Sequence, residues 1–223
     1  MGEGWGIAAS DTTLILGLNL AATFVFGLSG GSAAVRARLD LFGVFVLAAV
    51  VALAGGITRD LLIGVPPETF RDGRYLLAAG AAGAVCSFAS RGIERVRRSV
   101  LFFDAVGLSL FAVTGASKAL ASGMGAAQAV LLGAITGIGG GVLRDVLLRE
   151  VPTVLRSDLY AIPALAGAAV VAIAHEAGSD AGAWAVAGAG VCLALRLVGM
   201  RYGVTVPVPR TGPEPDGDDG PPR

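Results

Sequence analysis

Two Arg-Asp pairs are the residues of this chain best suited to interact with ions. Each pair follows two glycines within an apolar stretch. They are Arg59-Asp60 and Arg144-Asp145, and the second pair lies 85 residues after the first. An ionised group at the centre of a bilayer costs roughly 2.5–3.5 kcal/mol on insertion scales, so such groups must be paired or hydrated. Within a membrane, the pairs would serve a route for ions or solutes.

The glycines before each pair predict an interruption of the helix. Glycine costs about 1 kcal/mol relative to alanine inside a helix. A non-helical stretch at membrane depth is tolerated where it is buried in protein or lines a water-filled cavity. Close helix packing is the alternative, since Gly133, Gly137 and Gly141 follow a small-xxx-small pattern. The candidate pore or kink glycines are Gly55, Gly56, Gly139, Gly140 and Gly141.

Inverted symmetry suggests how the charges pair. If the two units face each other across a two-fold axis, Arg59 meets Asp145 and Arg144 meets Asp60. The alternative is that each Arg-Asp pair anchors a helix end at the membrane interface.

Other polar residues are candidates for a gate or an ion path. Lys118 has Ala33 as its counterpart in the first unit, so a lone cation breaks the duplication there. It either sets a barrier in the route or extends its ammonium to the interface. Asp104 and its counterpart Asn19 lie near the starts of their spans. The hydroxyls that can line a path or bond back to their helix are Ser29, Ser32, Thr58, Thr114, Ser117 and Thr136.

A duplication must position these groups. At the same 85-residue offset, without a gap, Phe26 aligns with Phe111 and Tyr75 with Tyr160. Each unit holds three spans, so the second must enter the membrane from the opposite side, giving an inverted repeat. The repeats are expected at residues 12–90 and 100–175.

Composition predicts an all-α polytopic membrane protein with seven transmembrane helices. Hydrophobic residues make up 54% of the 223-residue chain and charged residues 15%, against about 25% charged in soluble domains. Thirty-four glycines fit close helix packing in lipid. The predicted spans are 12–30, 41–56, 75–90, 100–120, 126–141, 159–174 and 182–200. Residues 207–223 are rich in Pro, Gly and Asp and are expected to be a disordered cytoplasmic tail.

The Lys and Arg distribution orients the chain. With Arg59 and Arg144 set aside, the side that holds the N-terminus carries three of these residues and the other carries twelve. By the positive-inside rule, the N-terminus is expected outside and the C-terminus in the cytoplasm.

Several classes of function are disfavoured. The net charge is zero, so no nucleic-acid partner is expected. His175 is the only histidine and lies at a span end, and no loop holds an acid-base constellation, so an enzyme is not expected. Cys86 and Cys192 lie in apolar runs, which disfavours a disulfide framework or a metal site. No cofactor is expected.

These motifs together resemble the bacterial members of the TRIC family of trimeric intracellular cation channels, whose domain is also called a glycine transporter. The resemblance covers about residues 12–200. It is carried by the doubled Gly-Gly-x-x-Arg-Asp motif and by the stretches 26–30, 40–44, 104–111 and 114–119.

The resemblance implies a homotrimer in the plasma membrane with one pore per protomer. The kinked second and fifth helices would line that pore at Gly55-Gly56 and Gly140-Gly141. Potassium would be the preferred permeant ion, with sodium less favoured, and membrane lipids would surround the trimer. Two other functions stay open, because inverted repeats serve both channels and transporters. One is a secondary transporter for a small amino acid such as glycine, and the other is an assembly protein without transport.

Overall fold

A computed structural model describes residues 9–89, 96–156, 159–179 and 181–202. Every long element in these ranges is an α-helix. The helices are α1 Ala9–Arg36, α2 Leu41–Ile63, α3 Gly73–Ala89, α4 Val96–Ala121, α5 Ala126–Leu147, α6 Ala161–Glu176 and α7 Ala181–Tyr202. Short 3-10 turns, Glu68–Phe70 and Thr153–Leu155, lie in the connections after α2 and α5. The expected tail, 207–223, lies outside the described residues.

Five helices are long and apolar enough to cross a membrane, namely α1, α2, α4, α5 and α7. The other two are shorter, with 17 residues in α3 and 16 in α6. A span normally needs about 20 residues. The chain is therefore a seven-helix membrane protein in which the third helix of each repeat is the short one.

Helix α2 shows how the sequence sets its own boundaries. Asp40 caps its start, accepting a 2.7 Å hydrogen bond from the backbone N–H of Gly43. Gly64 ends it in the left-handed region at φ 84°, which glycine adopts without a steric penalty. Between these ends, α2 continues through Gly55 and Gly56, and α5 likewise continues through its glycines. The predicted helix interruption and the predicted end of the fifth span at about 141 are therefore wrong. The second span, predicted to be short unless the segment after its glycines completes it, is completed by that segment.

The two repeats face each other across a pseudo-two-fold axis. The rings of Phe26 and Phe111, which are counterparts, stack with centroids 5.5 Å apart. Gly55 lies against the backbone of Thr136, while Gly140 lies against the backbone of Val51. Thr136 and Val51 are also counterparts, so each contact recurs with the roles exchanged. Helices α2 and α5 therefore cross at the axis, as an inverted repeat requires.

Helix α7 breaks this symmetry. It packs against α6 and α4 of the second repeat and touches α1 only marginally. Gly167 of α6 and Gly188 of α7 each approach the other's backbone closely, as small residues allow in lipid. The second repeat is therefore braced on a side where the first is not.

Candidate functional site

The first charged group, here called the first cluster, joins both repeats. Arg59 donates from Nε to Asp60 Oδ1 at 2.7 Å and from Nη1 to Asn19 Oδ1 at 3.2 Å. The ammonium of Lys118, which comes from the second repeat, lies 2.9 Å from Asp60 Oδ1 and 2.8 Å from Glu68 Oε1. The first cluster consists of Asn19, Arg59, Asp60, Glu68, Tyr75 and Lys118.

The connection after α2, residues 64–72, covers this cluster and is called the first strap. Its Glu68 donates a backbone N–H to Asp60 Oδ2 at 2.9 Å. Tyr75 at the start of α3 donates its hydroxyl to Glu68 Oε2 at 2.9 Å. The strap thus closes over the cluster while the Glu68 side chain stays 38% exposed.

The equivalent group in the second repeat, the second cluster, is built on the same plan. Arg144 donates from Nε to Asp145 Oδ1 at 2.9 Å and from Nη1 to Asp104 Oδ1 at 2.6 Å. Its Nη1 also donates to Ser29 Oγ of the first repeat at 2.8 Å. The second cluster consists of Ser29, Asp104, Arg144, Asp145, Thr153 and Tyr160.

The second strap, residues 148–156, carries no charge in the cluster. Thr153 donates its backbone N–H at 2.7 Å and its hydroxyl at 2.8 Å to Asp145 Oδ2. Tyr160 donates its hydroxyl to Asp104 Oδ1 at 3.1 Å. The guanidinium of Arg196, from α7, lies 4.5 Å from the centre of the Tyr160 ring, which is a cation–π contact.

The predicted exchange of partners between the repeats is wrong, because each arginine pairs with the aspartate beside it. Arg59 bonds Asn19 and Arg144 bonds Ser29, and these two residues stand ten positions apart on α1. At 1.5 Å per residue, that separation is about 15 Å. The clusters therefore lie towards opposite ends of the bundle. Contacts between the repeats occur within each cluster instead. Lys118 contacts Asp60 in the first cluster, and Arg144 contacts Ser29 in the second.

The charges lie near helix ends rather than at the centre of the spans. Arg59 stands four residues before the end of α2 and Arg144 three before the end of α5. Both are nevertheless buried, at 2% and 3% exposure. Each arginine therefore stands near the end of its helix and is ion-paired with the aspartate beside it.

The glycines of the motif do different things. A Cβ on Gly55 would overlap the carbonyl oxygen of Thr136, and one on Gly140 would overlap that of Val51, so both serve close helix packing. Gly139 lies beside Gly55, while Gly141 packs against Tyr160 and Asp104. A Cβ on Gly56 would meet no atom within 4 Å.

The hydroxyls divide between local and distant partners. Thr136 donates to Leu132 O at 2.6 Å and Ser117 to Val113 O at 2.9 Å, which bonds both back to their own helices. Thr114 Oγ1 and Asp104 Oδ2 are buried without a hydrogen-bond partner among the described residues. Thr58 is half-buried on α2. Of the predicted hydroxyls, Ser29 is thus the one placed in a charged cluster.

A small cavity lies beneath the first strap. Its volume is 10 Å³, room for about one water molecule. Asn19, Gly56, Glu68 and Phe111 are among the residues that line it. Residues of the first cluster therefore form part of the wall of this cavity.

The two clusters contain or contact four side chains that were not predicted from the sequence, namely those of Glu68, Tyr75, Tyr160 and Arg196. The register contains a signal for Glu68, because its counterpart is Thr153 and the counterpart of Lys118 is Ala33. An acid and a base that both lack a charged counterpart are candidates for a pair. No comparable signal exists for Arg196, since α7 has no counterpart.

Glu68 is the titratable group of the first cluster that lies outside the spans. Burial raises its pKa, but the hydrogen bond and charge of Lys118, the Tyr75 hydroxyl and the charge of Arg59 outweigh burial. The pKa of Glu68 is therefore lowered from its ordinary value of 4.5. It carries a negative charge at neutral pH.

Comparison with known proteins gives a consistent result. The sequence model of the glycine transporter family matches the chain twice, at residues 16–91 and 101–176. A UPF0126 membrane protein of Streptomyces coelicolor is 48% identical over 203 residues, 90% of this chain and 93% of that protein. A UPF0126 inner membrane protein of Escherichia coli K12 is 36% identical over 197 residues, covering 87% and 95%.

A solved structure has the same architecture. The TRIC trimeric intracellular cation channel orthologue of Rhodobacter sphaeroides superposes with a TM-score of 0.83 at 34% sequence identity. The match covers 86% of this chain and all of that one.

Proposed function

This chain belongs to the prokaryotic TRIC family, and from that membership we propose that it is a passive channel for monovalent cations that prefers potassium to sodium. The function of the Rhodobacter neighbour as a cation channel supports the proposal. The preference for potassium is what the resemblance to the TRIC family implies.

The observation that carries the proposal is the first cluster. Asp60 and Glu68 hold one ammonium group between them at 2.9 and 2.8 Å, at the mouth of a closed cavity. With Lys118 in place, two cations and two carboxylates balance; with Lys118 withdrawn, the mouth carries one net negative charge. Rings or pairs of carboxylates favour cations in channels. Lys118 therefore acts as a gate that occupies the place of a permeant cation.

The route runs between the two repeats, from the first cluster past the crossing of α2 and α5 to the second cluster. Gly56 borders it, because it lines the cavity and has free space where a side chain would stand. Gly55 and Gly140 hold the two helices together, so movement at that crossing would change the width of the route.

The assembly and the location follow the family. Three protomers form the channel, each with its own pore, as the trimeric Rhodobacter neighbour suggests. The exposed apolar side chains of the bundle, such as Phe42, Leu77 and Phe88, face lipid or a neighbouring protomer. The protein lies in the plasma membrane with its N-terminus outside, on the Lys and Arg distribution.

A second candidate is a secondary transporter for a small amino acid such as glycine. The family model that matches both repeats bears that description. Inverted repeats also suit alternating access around a central site. It predicts saturable flux of the solute and no current steps.

Reconstitution in planar bilayers under a potassium gradient tests the proposal. We expect discrete currents that reverse near the potassium equilibrium potential, with smaller currents when sodium replaces potassium. The same preparation in liposomes is assayed for glycine uptake. Glycine flux from folded, inserted protein that passes no current would overturn the channel and establish the transporter.

A further inference from the structure

Glu68 is fixed at both of its ends. Its backbone N–H bonds Asp60 at 2.9 Å, which ties the first strap to α2. Its two carboxylate oxygens are divided between Lys118 at 2.8 Å and Tyr75 at 2.9 Å. Arg59 Nη2 lies 3.9 Å from Oε2. Among the residues that the structure describes, the charged or titratable groups that face this carboxylate are Arg59 and Asp60 from α2, Tyr75 from α3 and Lys118 from α4.

The second repeat shows that the strap does not require a carboxylate. Thr153 stands at the same place, and its backbone N–H makes the same bond to Asp145. Ala33 stands where Lys118 does in the other half. The acid and the base therefore meet in the first cluster, although they come from different repeats, and both are replaced by uncharged residues at the equivalent positions of the second cluster. If the strap needed Glu68 only for folding, the presence of this acid would not coincide with the presence of the lysine.

The charges explain why the lysine needs this partner. Asp60 Oδ1 already accepts from Arg59 Nε, and its Oδ2 accepts from the strap. One aspartate shared by two cations would leave a net positive charge at this part-exposed site. The Lys118 side chain is 20% exposed, so its ammonium could then extend to water along its flexible stem.

We propose that Glu68 is the positioning residue that holds the Lys118 ammonium across the first cluster, so that the strap and α4 form a latch over the cavity. This inference rests on the proposed channel and assigns the residue that keeps its gate closed. Protons from the aqueous face can reach the latch, because the Glu68 carboxylate is part-exposed and lies outside the spans.

The direction of the proton effect follows from the charge of Glu68. Its lowered pKa keeps the carboxylate ionised, and the latch closed, at neutral pH. The latch is lost as the pH falls through that lowered value, below 4.5. Acid on the strap side should therefore open the wild-type channel, while acid on the other side should not act through this residue.

The test compares Glu68→Gln and Glu68→Thr with wild type. The threonine variant reproduces the second strap, so its fold is preserved. We expect both to raise the open probability at pH 7 by roughly 1.5- to fivefold, which corresponds to the free energy of one part-exposed ion pair. Both should also abolish the activation by acid on the strap side. Glu150→Gln is the matched control, because its carboxylate pairs with Arg36 at an exposed site near the other cluster.

A second readout does not require current. Gly56→Cys places a thiol at the cavity without a steric clash, while the native cysteines are buried. We expect a charged, water-soluble thiol reagent to modify this residue several times faster in the Glu68 variants than in the wild-type background. Faster labelling in folded protein that conducts nothing would support the latch and reject the channel. Wild-type labelling rates and wild-type gating in both variants would overturn the inference.

Discussion

The two charged clusters share one scaffold and differ in how firmly their charges are held. In the second cluster, Arg144 and Asp104 are 4% and 1% exposed and bond directly. In the first, Lys118 and Glu68 are 20% and 38% exposed, and the lysine comes from the opposite repeat. The duplicated ion-pair site is thus fully buried in the second cluster and part-exposed in the first. Substitutions in and around the two clusters test that difference.

The largest effect is expected from Arg144→Met. It would leave Asp104 and Asp145 buried without their cation, and breaking a buried ion pair costs about 3–5 kcal/mol. We expect a loss of folded protein, measured as the free energy of unfolding in detergent. Arg36→Met is the control, because its pair with Glu150 is exposed and contributes at most about 1 kcal/mol. Equal losses from both changes would contradict a difference in burial.

Next comes Gly55→Ala, which would force a methyl group against the carbonyl of Thr136 where α2 and α5 cross. Overpacking of this kind costs about 1–3 kcal/mol. Gly140→Ala should behave alike, because Val51 repeats the contact. Gly56→Ala, one residue away, has free space and should be neutral or stabilising by up to about 1 kcal/mol. Thermal unfolding of the three variants compares their stabilities. Destabilisation by Gly56→Ala alone would refute the packing argument.

A smaller loss is expected from Ser29→Ala, which removes the hydrogen bond from Arg144 across the repeats. Side-chain hydrogen bonds inside membranes average about 0.6 kcal/mol and reach about 1.7. Thr114→Ala changes the counterpart of Ser29 in the second repeat and should cost less, since the Thr114 hydroxyl has no hydrogen-bond partner among the described residues. Denaturation in mixed micelles compares the pair. A larger cost at Thr114 would show that the asymmetry of the clusters is misassigned.

The smallest effect on stability, under about 1 kcal/mol, is expected from Lys118→Ala, because its ion pairs are part-exposed. Conduction should change instead. The variant carries the alanine of the first repeat and leaves one net negative charge at the mouth, so its open probability should rise. Single-channel recording beside Arg74→Ala, whose pair with Asp72 is exposed, separates a gate from a general charge effect. A Lys118→Ala channel as closed as wild type would remove the gate from this residue.

The sequence predicts the helices well because hydrophobic content and the register of the duplication are both visible in it. The seven helices and the inverted repeat are confirmed. The ion pairs were misassigned because symmetry says which residues correspond, not how far apart they lie. Each arginine bonds the aspartate next to it in the chain, whereas the prediction from symmetry paired it with the aspartate of the other repeat.

The glycines were misread for a different reason. Helix propensity counts glycine as a weak point, but Gly55 and Gly140 each face a backbone carbonyl of the opposing helix. Packing against that backbone compensates the loss, so both helices continue. Glu68 was missed because a single acid in a loop has no periodic signal, and only its mismatch with Thr153 marks it.

The stacked rings of Phe26 and Phe111 bear on how such a chain can be assembled. Two separate copies of one three-helix unit, inserted in opposite orientations, would make this contact as a self-complementary dimer. The shared packing thus imposes no difference between the halves. Joining them in one polypeptide fixes the stoichiometry and lets a residue such as Lys118 occur in one half only, which a dimer of identical units cannot achieve.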